Sequence, residues 1–155
     1  MIMQRIRHVV CVTTDTYIAV GYEKTNFDEG GNKEGGFYIA AIDRKVSKAE
    51  QLPDVYDKGE KIQDTKGCIE RVSLFLHKGT VFWAFYERDA ARWRHRLCYG
   101  VYNKPGDFRT CTDQETHGKV TSLDMGGLDT GAVMFWSEEN ECDNFYGGYQ
   151  RVHFL

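Results

Sequence analysis

The chain has 155 residues, 41% hydrophobic and 28% charged, with a formal net charge of −3. That length and balance predict a single domain with a proper core and exclude a disordered chain. The acid excess argues against a general nucleic-acid coat protein, so nucleic acid is not a favoured partner. No apolar run reaches the ~20 residues of a membrane-spanning helix, so no membrane partner is expected.

The N-terminal residues Met1-Ile2-Met3-Gln4-Arg5-Ile6-Arg7 contain no apolar h-region, and no signal peptide is expected. The first strand candidates are His8-Val9-Val10-Cys11-Val12 and residues 17–24, which contain Tyr17-Ile18-Ala19-Val20. Both are rich in β-branched or aromatic residues. A polar loop at 25–36 then leads to Phe37-Tyr38-Ile39-Ala40-Ala41-Ile42. Residues 45–69 form a polar linker with Pro53 and Gly59. Ser47-Lys48-Ala49-Glu50 reads as a capping box, which Pro53 limits to about a turn of helix.

The centre of the chain is Val81-Phe82-Trp83-Ala84-Phe85-Tyr86, apolar at every position. A strand with one wet face alternates; a strand covered on both faces does not. Lys78-Gly79 predicts a tight turn that pairs this strand with residues 72–76. After a basic loop comes Leu97-Cys98-Tyr99-Gly100-Val101-Tyr102. A second linker, 104–118, contains Pro105-Gly106 and room for an outer strand near Phe108–Cys111.

The third segment starts at Lys119-Val120-Thr121-Ser122-Leu123 and turns through a Gly-rich stretch, 125–131. It continues as Ala132-Val133-Met134-Phe135-Trp136 and ends in residues 146–154. Three segments thus share one layout, about 7–45, 70–104 and 118–155, within one domain spanning 1–155. The spacing, roughly 50–65 residues, falls in the range of propeller blades.

The expected fold is all-β: three antiparallel β-meander repeats resembling propeller blades, half of a six-bladed ring. Stacked sheets allow middle strands without polar alternation, whereas a barrel wets one side of every strand. The alternative is a closed antiparallel β-barrel. No Trp-Asp dipeptide, kelch pattern or sialidase-type aspartate box occurs. Three blades are too few for a ring, so a homodimer is expected, built on an apolar face left bare by an end sheet.

The ligand-binding candidates are Arg88, Arg92, Trp93, Arg94, His95 and Arg96. Guanidinium groups fork onto phosphate or carboxylate, and a tryptophan offers a stacking face. The opposing reading pairs these arginines with nearby acids. Acidic stretches at 27–34 and 138–144 match no EF-hand spacing, and no metal or cofactor is expected. Gly126–Gly131 would be a turn whose amides face an anion. Rings near Glu23, Glu87 and Glu138 would stack sugars if exposed and form core if buried. His95 and His117 are the acid–base candidates. The five cysteines have no paired spacing, which predicts reduced thiols in a cytoplasm.

The function expected is a non-enzymatic binding module that recognises a small anionic ligand, a nucleotide or acidic glycan, or a partner protein through charged rim loops. The alternatives are a hydrolase or lyase on a phosphate or glycoside, and a macromolecular inhibitor or scaffold.

Overall fold

The computed structural model describes residues 3–45, 54–91, 94–111, 113–140 and 144–155. Among these, twelve strands and one short helix form three antiparallel sheets. The capping box at 47–50 lies outside the described residues.

The first sheet runs β1 (Met3–Thr13), β2 (Tyr17–Phe27), β3 (Lys33–Asp43) and β4 (Glu60–Thr65), in chain order. Helix α1 (Val55–Lys58) lies in the linker between β3 and β4, after Pro53. The second sheet runs β5 (Cys68–His77), β6 (Thr80–Asp89), β7 (Arg94–Lys104) and β8 (Asp107–Thr110). β9 (Gln114–Glu115) pairs with β7 beyond the end of β8. The third holds β10 (Lys119–Leu128), β11 (Gly131–Glu139) and β12 (Phe145–His153).

The sheets are meanders, and the tightest of their turns are two residues long. Between β5 and β6, Lys78 has φ 50° and Gly79 φ 78°, the pair of positive values that a two-residue hairpin turn demands. Lys78 tolerates this at some cost; Gly79 does so freely. The turn between β10 and β11 is Asp129-Thr130. Gly126 and Gly127 lie inside β10, paired with Val133 and Ala132. The Gly-rich stretch is therefore mainly strand, and the turn expected over 126–131 shrinks to Asp129-Thr130. Gly127 has its own reason to be glycine: a Cβ there would sit 2.5 Å from the His77 ring.

The sheets stack in three layers. Trp83 and Phe85 of β6 meet Phe37 and Ile39 of the first sheet. Phe82, Ala84 and Tyr86, on the other side of the same strand, meet Met134 and Trp136 of the third. Every residue from Val81 to Tyr86 is fully buried, which explains a strand with no polar alternation. A large apolar side chain buried this way contributes about 1.5–3 kcal/mol. The barrel alternative is overturned: the three sheets stay separate, and face-to-face packing satisfies the middle strand without closure.

The two end faces differ. Val20, Tyr22, Tyr38 and Ala40 on the outside of the first sheet are covered by Val55 and Tyr56 of α1. The outside of the third sheet is bare, with Phe135 52%, Phe145 68% and Tyr149 71% exposed.

Candidate functional site

The stretch expected as a basic loop is mostly strand. β6 continues to Asp89 and β7 starts at Arg94, with cross-strand pairs Glu87 to Arg96, Arg88 to His95 and Asp89 to Arg94. Strand periodicity then sorts the charges. Glu87, Asp89, Arg94 and Arg96 follow Trp83 and Phe85 on the face toward the first sheet. Arg88 and His95 follow Tyr86 on the face toward the third.

Arg96 belongs to a structural network. The Glu87 carboxylate, 3% exposed, accepts backbone N–H bonds from Lys66 and Gly67. Its other oxygen receives Arg96 Nη2 at 2.6 Å and Nε at 3.0 Å. Arg96 also donates to Asp113 at 3.1 Å and to the Asp64 carbonyl at 3.0 Å. A buried carboxylate is tolerated when its lone pairs are filled in this way. Glu138 does the same in the third sheet, accepting from the His117 backbone N–H at 3.1 Å and from Trp136 Nε1 at 3.0 Å. Glu23 in the first accepts from Arg7 Nε and the Ile69 N–H, both at 2.8 Å. All three strand-end glutamates are thus buried ties rather than rim charges. Trp83, Tyr22 and Trp136 are core beside them, so no sugar-stacking surface forms from those rings.

A cleft of about 840 Å³ opens where the second and third sheets end. Arg88, Arg94, His95, His117 and Lys119 line it, together with Asp89 and Glu139. Arg88 pairs with Glu70 at 3.2 Å and Arg94 with Glu115 at 3.1 Å. Lys119 makes no ion pair among the described residues. A smaller hollow of about 280 Å³ lies on the other face of the strand pair, over Arg96, Asp113 and Lys66.

His95 is held by Tyr86, whose hydroxyl lies 2.6 Å from Nδ1. Burial pushes the Tyr86 phenol up to about 12, helped by the Glu70 charge, so it keeps its proton at neutral pH. Among the described residues, Nδ1 is the acceptor available to that proton. We therefore assign neutral His95 its N–H at Nε2, which presents a donor rather than an acceptor.

A further hollow of about 560 Å³ adjoins the cleft, with His117 and Asn140 lining both. Its other walls include Trp136, Tyr146, Gln114 and Glu115. Tyr146 is 48% exposed, and its hydroxyl accepts from Asn140 Nδ2 at 3.2 Å.

Of the residues singled out from the sequence, Arg88, Arg94, His95 and His117 come together in the main cleft. Arg96 does not. Arg92 and Trp93 lie outside the described residues. Lys119 and Tyr146 were missed, because only the stacking of sheets brings them to the site. Among the described residues no three His, Cys, Asp or Glu side chains group as metal ligands. In the acidic stretch at 27–34, Asp28 bonds instead to Asn32, whose N–H and Nδ2 hold its carboxyl below the ordinary range. The chain matches no family model, no curated protein and no solved structure.

Proposed function

We propose that this chain is a non-enzymatic binding module that holds a small anionic ligand in the cleft between the second and third sheets. One observation carries the reading: Arg88 and Lys119 line a single concave space with His95 and His117, and Arg94, at the first position of β7, lines it from the strand end. The ion pairs of Arg88 and Arg94 are partly exposed, so an incoming anion displaces them at little cost. The His95 Nε2–H adds a directed donor. Binding is favoured over hydrolysis because the His117 ring has no orienting partner among the described residues, and His95, though held by Tyr86, presents an N–H rather than a lone pair to the cleft. The test is thermal shift and titration with inorganic phosphate, sulfate and nucleotides. Lys119→Glu and Arg94→Glu are expected to abolish the response. An unchanged response in both variants rejects the cleft.

A second reading concerns assembly. The three sheets serve as propeller blades, with β5 lying against both β1 and β10 as inner strands do. The bare outer face of the third sheet supports a homodimer that buries Phe135 and Tyr149. The covered face of the first sheet argues against simple closure into a six-bladed ring. Sedimentation across a dilution series tests this: Phe135→Asp is expected to halve the mass, and a wild-type monomer at micromolar concentration rejects it. The odd cysteine count supports a reducing, cytoplasmic setting.

A further inference from the structure

We infer that the ligand has two parts: a phosphate monoester group seated by Arg88, His95 and Lys119, and a flat ring laid against Tyr146 in the adjoining hollow. A nucleoside monophosphate has this form. The inference rests on the cleft being an anion site and names the ligand's class.

The two hollows are neighbours, with His117 and Asn140 walling both. Their chemistry differs. The first has three cations, Arg88, Arg94 and Lys119, against the carboxylates of Asp89 and Glu139; the second has no Arg or Lys among the described residues and holds the rings of Tyr146 and Trp136 with Gln114, Glu115 and Glu138. A ligand that fills both must therefore be charged at one end and planar or apolar at the other. The second hollow, about 560 Å³, is of ordinary size for a small-molecule site.

Tyr146 is suited to stacking in three ways. It pairs with Glu138, which turns it to the inner face of the third sheet, beside Trp136 and toward the cleft. Its hydroxyl is fixed by Asn140, whose own Oδ1 accepts the Asn144 N–H at 3.1 Å. A ring already held loses less freedom when it stacks. The next two residues are Gly147 and Gly148. On the same face as Tyr146, Gly148 leaves room for the Trp136 indole, which lies 2.3 Å from where a Cβ would be, so two rings share that wall.

The acids around the site set the ligand's length. Asp89 and Glu139 line the cleft and Glu115 and Glu138 wall the adjoining hollow, while the chain as a whole carries −3. Repeated phosphates would meet these carboxylates, so a single phosphate is favoured over a nucleic-acid strand.

Calorimetric titration of the full chain decides the matter, with inorganic phosphate, adenosine 5′-monophosphate, adenosine and a pyranose 6-phosphate as probes. The nucleotide is expected to bind roughly tenfold or more tighter than phosphate, the gain that one stacked base supplies. Tyr146→Ala is expected to remove that gain and leave phosphate affinity unchanged; Lys119→Ala is expected to weaken both. Tyr146 is a half-exposed side chain on an edge strand, and a circular dichroism melt checks that the variant folds. Equal affinity for nucleotide and phosphate, or a Tyr146→Ala variant that binds nucleotide as well as wild type, overturns the two-part ligand while leaving the anion site standing. A pyranose phosphate that gains as much from Tyr146 overturns the flat-ring assignment. No binding of any phosphate overturns both readings.

Discussion

Trp83 lies against Gly100 on the neighbouring strand, so that a Cβ at Gly100 would come 2.6 Å from the indole and 2.1 Å from the Arg109 carbonyl oxygen. The indole is fully buried and the carbonyl belongs to paired backbone, so neither yields easily. Gly100→Ala is expected to destabilise the protein by about 1–3 kcal/mol, the cost of overfilling a packed core. Urea unfolding measures it, and a midpoint equal to wild type would contradict the packing described. Gly148 stands against Trp136 in the same way, with a Cβ 2.3 Å from the ring, but on an edge strand with more room to shift.

Glu87 and Arg96 should behave unlike the arginines around the cleft. Glu87→Gln leaves a partly buried guanidinium short of its main partner and weakens the tie to Lys66 and Gly67. The expected loss is roughly 3 kcal/mol, the low end for a broken buried pair because Arg96 retains some contact with solvent. Chemical denaturation reads it directly.

Arg94→Ala breaks only a pair exposed by 57% and 72%, so stability should fall by less than about 1 kcal/mol. Phosphate affinity should nevertheless drop several-fold. Unfolding and titration on the same sample separate the two effects; a large stability loss would show Arg94 to be structural.

Alkali should unfold the protein through its tyrosines. Unfolded tyrosines ionise near 10, whereas Tyr86 in the fold is pushed up to about 12, and burial raises Tyr22 and Tyr102 as well. The folded state thus binds more protons in that interval. The stabilisation is complete below pH 10 and is lost as pH rises toward 12, by at most about 1.4 kcal/mol per pH unit for each such group. Tyr86→Phe should flatten this limb, which denaturation between pH 9 and 11.5 will show.

Thiol chemistry should divide the cysteines. Cys11 is exposed and should react with a disulfide reagent at once. Cys98 is buried, with its Sγ donating to Asp113 at 3.2 Å, and burial raises its thiol far above the usual range. It should react only on unfolding; rapid modification of the native protein at Cys98 would contradict the layered core.

The central strand was legible because burial on both faces removes polar alternation, as Val81–Tyr86 shows; Ala132–Trp136 reads the same way, yet Phe135 is 52% exposed on a bare face. The outer strand near Phe108 was also within reach, as β8. The basic stretch was not. Consecutive charges read as solvent-facing loop, yet a period of two sends Arg96 inward to a carboxylate that only the cross-strand register reveals. Gly126-Gly127 read as a turn for a related reason: the demand for glycine at Gly127 comes from the His77 ring of another sheet, which no local pattern carries. Lys119 and Tyr146 have ordinary sequence surroundings, and what makes them notable is distance across layers.

The core of this protein is divided. One cluster joins the first sheet to the second, another joins the second to the third, and among the described residues no core cluster joins the outer two. The layers therefore couple as nearest neighbours in a short linear array. Fraying at either end strips one face of β6 but leaves its ladder and its other face in place. The amides of β6 consequently report global opening, while those of β12, with one bare face and one free edge, exchange through a local excursion that leaves the other two layers intact.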